Sequence, residues 1–205
     1  MNQPKSIFAL IYVFGLMLVC SAALYAQGES KQVEPSYNMS LQLVIGSNES
    51  GQRSDLPGEL SAISRQLKSS FTFSSYRLAS TFLGRISNTG NFEYKSTSNI
   101  FGQESSAATQ SFIDWSAFNL RSMPNTKGQS GFQAQAFRFG ARVPVLMSNP
   151  KDESGKSFPV YNYEQIGLTL SKVGLSENIP TLIGTLNLPG TSGTIFLIVT
   201  VRSAD

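Results

Sequence analysis

The 205-residue chain contains no histidine and a single cysteine, and that cysteine, Cys20, lies in an uncharged N-terminal stretch. Without histidine, Ser-His-Asp and Cys-His catalysis cannot be built, and zinc, copper and haem sites lose their commonest ligand. A single cysteine cannot form an intramolecular disulfide. The sequence therefore predicts a protein that is not an enzyme, with no catalytic, cofactor-binding or metal-binding residues, no cofactor, and a stability that comes from its apolar core.

Charged residues are also scarce: they make up 14% of the chain, whereas hydrophobic residues make up 40%. The net charge is only +3, and the basic residues are scattered without any run of Lys and Arg, which argues against nucleic acid as a partner. The sequence contains no Gly-rich dinucleotide fingerprint and no phosphate-binding loop. Ser, Thr, Asn, Gln and Gly supply most of the polarity, and this composition is typical of an exported, strand-rich protein.

The N-terminal stretch has the pattern of an export signal. Ser6 to Ala26 carries no charge, follows a short start whose only charged side chain is Lys5, and ends in small residues. A cationic start, an apolar middle and small residues before the cut define a signal peptide. We predict that residues 1–26 are a signal peptide cut near Ala26, which places the mature protein in the periplasm or outside the cell.

Two alternatives remain open for this stretch. About 20 apolar residues can span the hydrocarbon core of a bilayer, so an uncleaved segment 6–26 would anchor the protein in a membrane. Cys20 could instead carry a lipid, but the residue before a lipidated cysteine is small and here it is Val19. Cleavage is favoured, and membrane anchoring is the second choice.

After the signal, residues 27–38 are polar and are predicted to be a tether, and residues 39–205 are predicted to be a single β-rich domain. The domain has one clear helical pattern. Apolar residues recur at steps of four, three, four and four, which places them on one face of a helix, with Asp55 as its N-cap and Pro57 in its first turn. These residues are Leu56, Leu60, Ile63, Leu67 and Phe71.

The rest of the domain alternates with period two, which indicates strands. Residues 75–97, with a turn around Gly90, are predicted to form a hairpin. Residues 194–201 are apolar on both faces and are predicted to form a central strand. We expect an α+β, mainly β fold: one antiparallel-rich sheet system of about eight strands, with one early amphipathic helix packed on it. The other predicted strands are 40–46, 111–120, 132–146 (Phe137 and Phe139 on one face, Ala134 and Ala136 on the other), 161–173 and 177–188.

Few residues suggest chemistry, and each has a simpler structural interpretation. Asp114 and Arg138 lie among aromatic residues in strands, and we expect them to face solvent or to pair across strands. Asp152 and Glu153 lack the ligand pattern of a calcium loop and are predicted to form a solvated turn. The aromatic residues of the strands are predicted to be core. The acidic residues that could serve hydrolysis are Glu49, Asp55, Glu104, Asp152, Glu153 and Glu177.

Three functions are compatible with these patterns. The favoured one is an exported, non-enzymatic cell-envelope or secreted protein that binds or assembles with a protein partner, and that meets a membrane only through an uncleaved segment 6–26. The first alternative is a small hydrolase that uses Asp, Glu or Ser without histidine, which requires acids that converge in a cleft. The second alternative is a small outer-membrane β-barrel, which the length and the alternation allow. The sequence identifies neither the partner nor any small-molecule ligand.

Overall fold

A computed structural model describes residues 34–49, 56–101, 110–124, 128 and 130–204. These residues form eight strands, one short α-helix and a 3-10 turn at Gly58–Leu60. The predicted signal peptide lies outside the described residues. The elements are β1 (Ser36–Ser47), α1 (Ser61–Ser70), β2 (Ser75–Ser87), β3 (Asn91–Ser98), β4 (Ser111–Ser122), β5 (Gly131–Ser148), β6 (Val160–Ser176), β7 (Thr181–Asn187) and β8 (Thr194–Ser203).

The strands form two four-stranded antiparallel sheets. Sheet 1 has the order β2-β1-β8-β7, and sheet 2 has the order β3-β4-β5-β6. The prediction of a mainly β, antiparallel fold with a single helix is confirmed, and the strands are divided between two sheets. Strand β1 begins at Ser36, so the last three residues assigned to the tether are part of the sheet.

The predicted hairpin over residues 75–97 is wrong in its pairing. Both strands and the turn are present, but β2 pairs with β1 and β3 pairs with β4. At the turn the chain passes from sheet 1 to sheet 2, where the backbone N–H of Thr89 donates to the carbonyl of Leu120 at 2.7 Å. Each strand instead directs its backbone pairing to another strand, and the ring of Phe92 lies against Gly84, which has no side chain to displace it.

The main core lies between the two sheets and is formed by large apolar side chains from both. Trp115 and Phe137 of sheet 2 belong to the same buried cluster as Leu41 and Leu197 of sheet 1. The aromatic rings of Phe92 and Trp115 are 4.7 Å apart between centroids. Most of the strand aromatics are therefore core, as the alternation predicts.

The prediction that Ala134 and Phe137 lie on opposite faces of β5 is wrong, because Ala134 is only 1% exposed and lies in the same core. In β4, β5 and β6 the alternation of inward and outward side chains reverses at one row of residues that face each other across the sheet. That row contains Asn119 of β4 and Lys172 of β6, which have positive φ values of 49° and 55°. The amide of Asn119 donates to Oε1 of Gln135, the β5 residue between them, at 2.9 Å. A local backbone reversal of this kind changes which side chains point inward.

Helix α1 packs on the outer face of sheet 1, as its apolar spacing predicts. Leu60, Ile63 and Leu67 are buried there with Phe196 of β8. The hydroxyl of Tyr76 lies 3.1 Å from the carbonyl oxygens of Leu67 and of Phe71 and can donate its proton to either, which ties β2 to the end of the helix. The predicted N-cap, Asp55, lies outside the described residues, and Pro57 caps the 3-10 turn that precedes the helix.

Strand β8 is the central strand that its composition predicts. It lies between β1 and β7, and its residues from Thr194 to Val201 are all buried. One face contacts the core between the sheets and the other contacts α1, which explains why both faces are apolar. In the described part of the chain, no helix has the length and the apolar character that a membrane span requires.

Candidate interaction surface

Strands β5 and β6 extend well beyond the rest of sheet 2. The pairing of β4 with β5 ends at Arg142, whereas the pairing of β5 with β6 continues to Ser148. Six further residues of extended chain span about 20 Å. We call this extension and its loop, residues 143–165, the projecting hairpin. An isolated pair of strands is only marginally stable in water, so a hairpin of this length needs further packing contacts.

The base of the projecting hairpin is anchored to sheet 1. Val143 is buried. Val145 packs so closely on Gly190, in the β7–β8 connection, that a Cβ added to this glycine would lie 3.2 Å from Cγ1 of Val145. Pro144 falls where β5 no longer pairs with β4, an edge position of the kind that proline, which lacks a backbone N–H, can occupy. The projecting hairpin is therefore held against the β7–β8 connection at its base.

The loop of the projecting hairpin is closed by hydrogen bonds. The carboxylate of Asp152 accepts from the hydroxyl of Ser154 at 2.6 Å and from the backbone N–H of Lys156 at 2.8 Å. The hydrogen bond from Ser154 is the main cause that lowers the pKa of Asp152. This geometry is the solvated turn that the sequence predicts, with the carboxylate committed to the backbone of its own loop.

Between its base and its loop, the projecting hairpin exposes large apolar side chains. Met147 is 64% exposed, and the others are between 41% and 49% exposed. The ring of Tyr163 lies 5.8 Å from that of Phe112 on β4, so the apolar area continues onto sheet 2. Exposed apolar residues grouped on one element in this way mark interaction sites. We define the hairpin surface as Phe112, Leu146, Met147, Phe158, Val160 and Tyr163.

Cationic groups border the hairpin surface. The guanidinium of Arg142 lies 4.8 Å from the ring centroid of Phe112, and the ammonium of Lys156 lies 5.7 Å from that of Phe158. Stacked cations of this kind cover aromatic rings with their alkyl stems and keep their charge in water. An apolar centre with a charged rim is the usual anatomy of a protein–protein contact.

The two strand charges flagged by the sequence face solvent. Asp114 is exposed opposite Lys95 of β3, and Arg138 is exposed with its guanidinium 5.8 Å from the ring of Phe118. Both lie on the outer face of sheet 2, away from the aromatic core. The interpretation of these residues as surface charges is confirmed.

Two groups of the candidate acids lie at opposite ends of β5. Glu177 lies beside Ser130 at the start of β5, whereas Asp152 and Glu153 lie beyond its other end. Asp55 and Glu104 lie outside the described residues. Among the described residues, no three His, Cys, Asp or Glu side chains are grouped closely enough to hold a metal ion.

The outer face of sheet 2 is polar next to the hairpin surface. Glu93, Lys95, Asp114 and Arg138 are all exposed in its strands. The charge pattern was visible in the sequence, but the outward direction of these side chains was not.

No model of a protein family matches the chain, and no curated protein matches it. Among solved structures it is similar to the Klebsiella pneumoniae type II secretion system outer membrane complex (PulD, PulS and the PulC HR domain), with 9% identity, a TM-score of 0.37 and coverage of 100% of this chain and 44% of that one. It is also similar to the Salmonella SPI-1 type III secretion injectisome secretin InvG, with 13% identity, a TM-score of 0.31 and coverage of 96% and 70%. The chain thus spans less than half of the first of these chains. TM-scores this low do not establish a common fold.

Proposed function

We propose that this protein is an exported, non-enzymatic module of the cell envelope that binds a protein partner through the hairpin surface. The observation that carries the proposal is the exposure of Met147 and its apolar neighbours on an extension that sheet 2 does not need for its own pairing. Interfaces of this type use a few buried apolar anchors surrounded by a polar rim.

The outer edges of the same two strands add a second means of contact. Beyond Arg142, β5 has no partner strand on its β4 side, and β6 is the edge strand of sheet 2 among the described residues. Unpaired backbone N–H and C=O groups of an edge strand can accept an extended segment of another protein. The proposed partner therefore contacts apolar side chains and backbone groups together.

Export is part of the proposal and rests on the sequence pattern of residues 1–26. After cleavage near Ala26 the protein acts in the periplasm or outside the cell, and without cleavage segment 6–26 keeps it on a membrane. Both locations place the hairpin surface outside the cytoplasm, where an envelope partner can reach it.

A photo-crosslinking amino acid at Met147, introduced in native cells that are then fractionated, tests this function. We expect covalent adducts with an envelope protein. The intact mass of the protein should correspond to a chain that begins at Gln27. The double variant L146S/M147S should lose the partner, because removing interface anchors costs about 2 kcal/mol or more each. Its folding should be unchanged, because both side chains are exposed.

The matched control is I179S, because Ile179 is 56% exposed on the β6–β7 connection, away from the hairpin surface. This variant should keep the adducts of the unaltered protein. Equal loss of adducts in I179S, or adducts at Met147 only with cytoplasmic proteins, would contradict the proposed function.

A further inference from the structure

The outer face of sheet 1 is only half covered by α1. Helix α1 and its apolar neighbours lie over the half that contains Val44 and Ile198. The other half, toward Ser36 and Ser203, forms an open cavity of about 600 Å³. We call it the arginine groove. Its polar and charged lining consists of Asn38, Ser40, Gln42, Glu59, Thr81, Arg85, Thr200 and Arg202.

Two arginines lie in one row across this groove. Asn38 of β1 is opposite Arg85 of β2 on one side and opposite Arg202 of β8 on the other. Residues in register across antiparallel strands share a face, and two strand spacings separate their Cα atoms by about 10 Å. Both guanidiniums can therefore reach a single group that lies above Asn38.

The charges of the groove are unequally balanced. Glu59 accepts a hydrogen bond from the amide of Gln42 at 3.0 Å, and its other oxygen lies 3.7 Å from a guanidinium nitrogen of Arg202. Arg85 donates from Nε and Nη2 to the hydroxyl of Ser36, at 3.1 Å and 2.7 Å. A hydroxyl carries no charge, and no described carboxylate pairs with Arg85. Among the described residues of the lining, two arginines and one glutamate give the groove a net charge of +1.

The floor of the groove is set in advance. Gln42 is only 5% exposed and is held by its hydrogen bond to Glu59. In the next row, Thr200 and Leu83 lie on either side of Ser40; Thr200 is buried, whereas Leu83 is 73% exposed at the rim. The groove thus combines fixed hydrogen-bonding groups with cations above them and an apolar contact at one side.

We propose that the arginine groove binds an acidic peptide segment, with one carboxylate held between Arg85 and Arg202. Arginine binds carboxylates through two parallel hydrogen bonds, and a single negative charge matches the net charge of the groove. Glu59 opposes a phosphate dianion more strongly than a carboxylate, because it repels each added charge. The volume exceeds that of a lone carboxylate, and Leu83 offers a contact to an apolar neighbour in the peptide. This site is separate from the hairpin surface and does not depend on the proposed function.

Calorimetric titration of the purified protein with acetyl-Gly-Leu-Glu-Leu-Gly amide, which carries one carboxylate between apolar neighbours, tests this site at low ionic strength. We expect saturable binding. R85Q or R202Q should raise the dissociation constant at least about tenfold, because each removes charge-assisted hydrogen bonds to the carboxylate. R65Q is the matched control, because Arg65 is exposed on α1 and carries the same charge outside the groove. E59Q should bind the same peptide more tightly, because it removes the negative charge of the groove.

Three outcomes would overturn the proposal. They are absence of saturable binding, equal weakening by R65Q and R85Q, and binding of inorganic phosphate or acetate as tight as that of the peptide. The melting temperatures of R85Q and R202Q, measured in parallel, should match that of the unaltered protein because both side chains are exposed. L146S/M147S should still bind the peptide, so failure of the groove and failure of the hairpin surface are distinguishable.

Discussion

Single residues determine how closely the two sheets approach. Gly84 of β2 faces the ring of Phe92, and that ring is in turn packed against Trp115, with 4.7 Å between centroids. Phe92 therefore cannot move away without disturbing the core. Trp115 is the only tryptophan of the chain and is 1% exposed, so its fluorescence reports on this core directly.

We predict that G84A destabilises the protein by about 1–3 kcal/mol, because the added Cβ collides with a ring that has no room to retreat. Unfolding in urea, followed by Trp115 fluorescence, measures the loss. The control is G174A, because a Cβ at Gly174 would meet nothing within 4 Å. That variant should stay within about 1 kcal/mol of the unaltered protein. Equal stability of the two variants would disprove the close approach at Gly84.

At the scale of elements, α1 is short and depends on its docking to sheet 1. Ten residues are too few for an isolated helix to persist in water. Its buried side chains, and the hydrogen bond from Tyr76 to the carbonyl of Leu67 or Phe71, supply what propensity does not. Burial also raises the pKa of the Tyr76 hydroxyl.

We predict that L67A lowers the free energy of unfolding by about 2–5 kcal/mol, because it leaves a cavity between α1 and Phe196. Q66A changes the neighbouring exposed position and should alter the stability by no more than about 0.5 kcal/mol. The same urea titrations measure both variants. A small effect of L67A would mean that the helix is not packed on sheet 1 as described.

At the scale of the whole molecule, the absence of histidine removes the side chain that usually titrates near neutral pH. Two exposed carboxylates, those of Glu177 and Asp152, instead accept hydrogen bonds within the folded chain that lower their pKa values. The hydroxyl of Ser203 donates to Glu177 at 2.5 Å and is the main cause that lowers the pKa of Glu177, as the hydrogen bond from Ser154 does for Asp152. Glu177 thereby links the β6–β7 connection to the end of β8.

We predict that stability is constant between about pH 6 and 8 and falls in acid. A carboxyl whose pKa is lowered on folding stabilises the fold above its unfolded value, 4.5 for Glu177, and that contribution is lost as the pH falls through the lowered folded value. The loss should be small, because the group is exposed to solvent. Urea midpoints at about pH 7 and pH 3 measure it, and E177Q should show a smaller difference. A midpoint that shifts between pH 6 and 8 would refute the prediction.

Much of the fold was predictable because it depends on local periodicity. The both-face apolar run from Thr194 to Val201 required a central strand covered on two sides, and β8 is that strand. The spacing of Leu60, Ile63 and Leu67 required a helix with one buried face, and α1 has it. Burial of apolar surface determines whether such a segment is a strand or a helix and which face is buried, and this does not depend on which element covers it.

Pairing and position were not predictable in the same way. The turn near Gly90 is compatible with a hairpin or with a passage between sheets, and the pairing of β2 with β1 and of β3 with β4 distinguishes the two only in the folded chain. The reversal along Asn119 and Lys172 moved Ala134 into the core although a strict period of two places it outside. Register across strands is a long-range property, and a single strand carries no record of its neighbours.

The candidate sites divide along the same line. The sequence by itself determined the scarcity of charge, the absence of histidine chemistry, the expected export and a strand-rich core, because composition and period are properties of the chain alone. Only the tertiary structure decided that β5 and β6 outrun their sheet, and that Arg85 and Arg202 share a row with Asn38. Those juxtapositions depend on which strands pair and where each pairing ends, and the burial of apolar surface in the assembled sheets selects both.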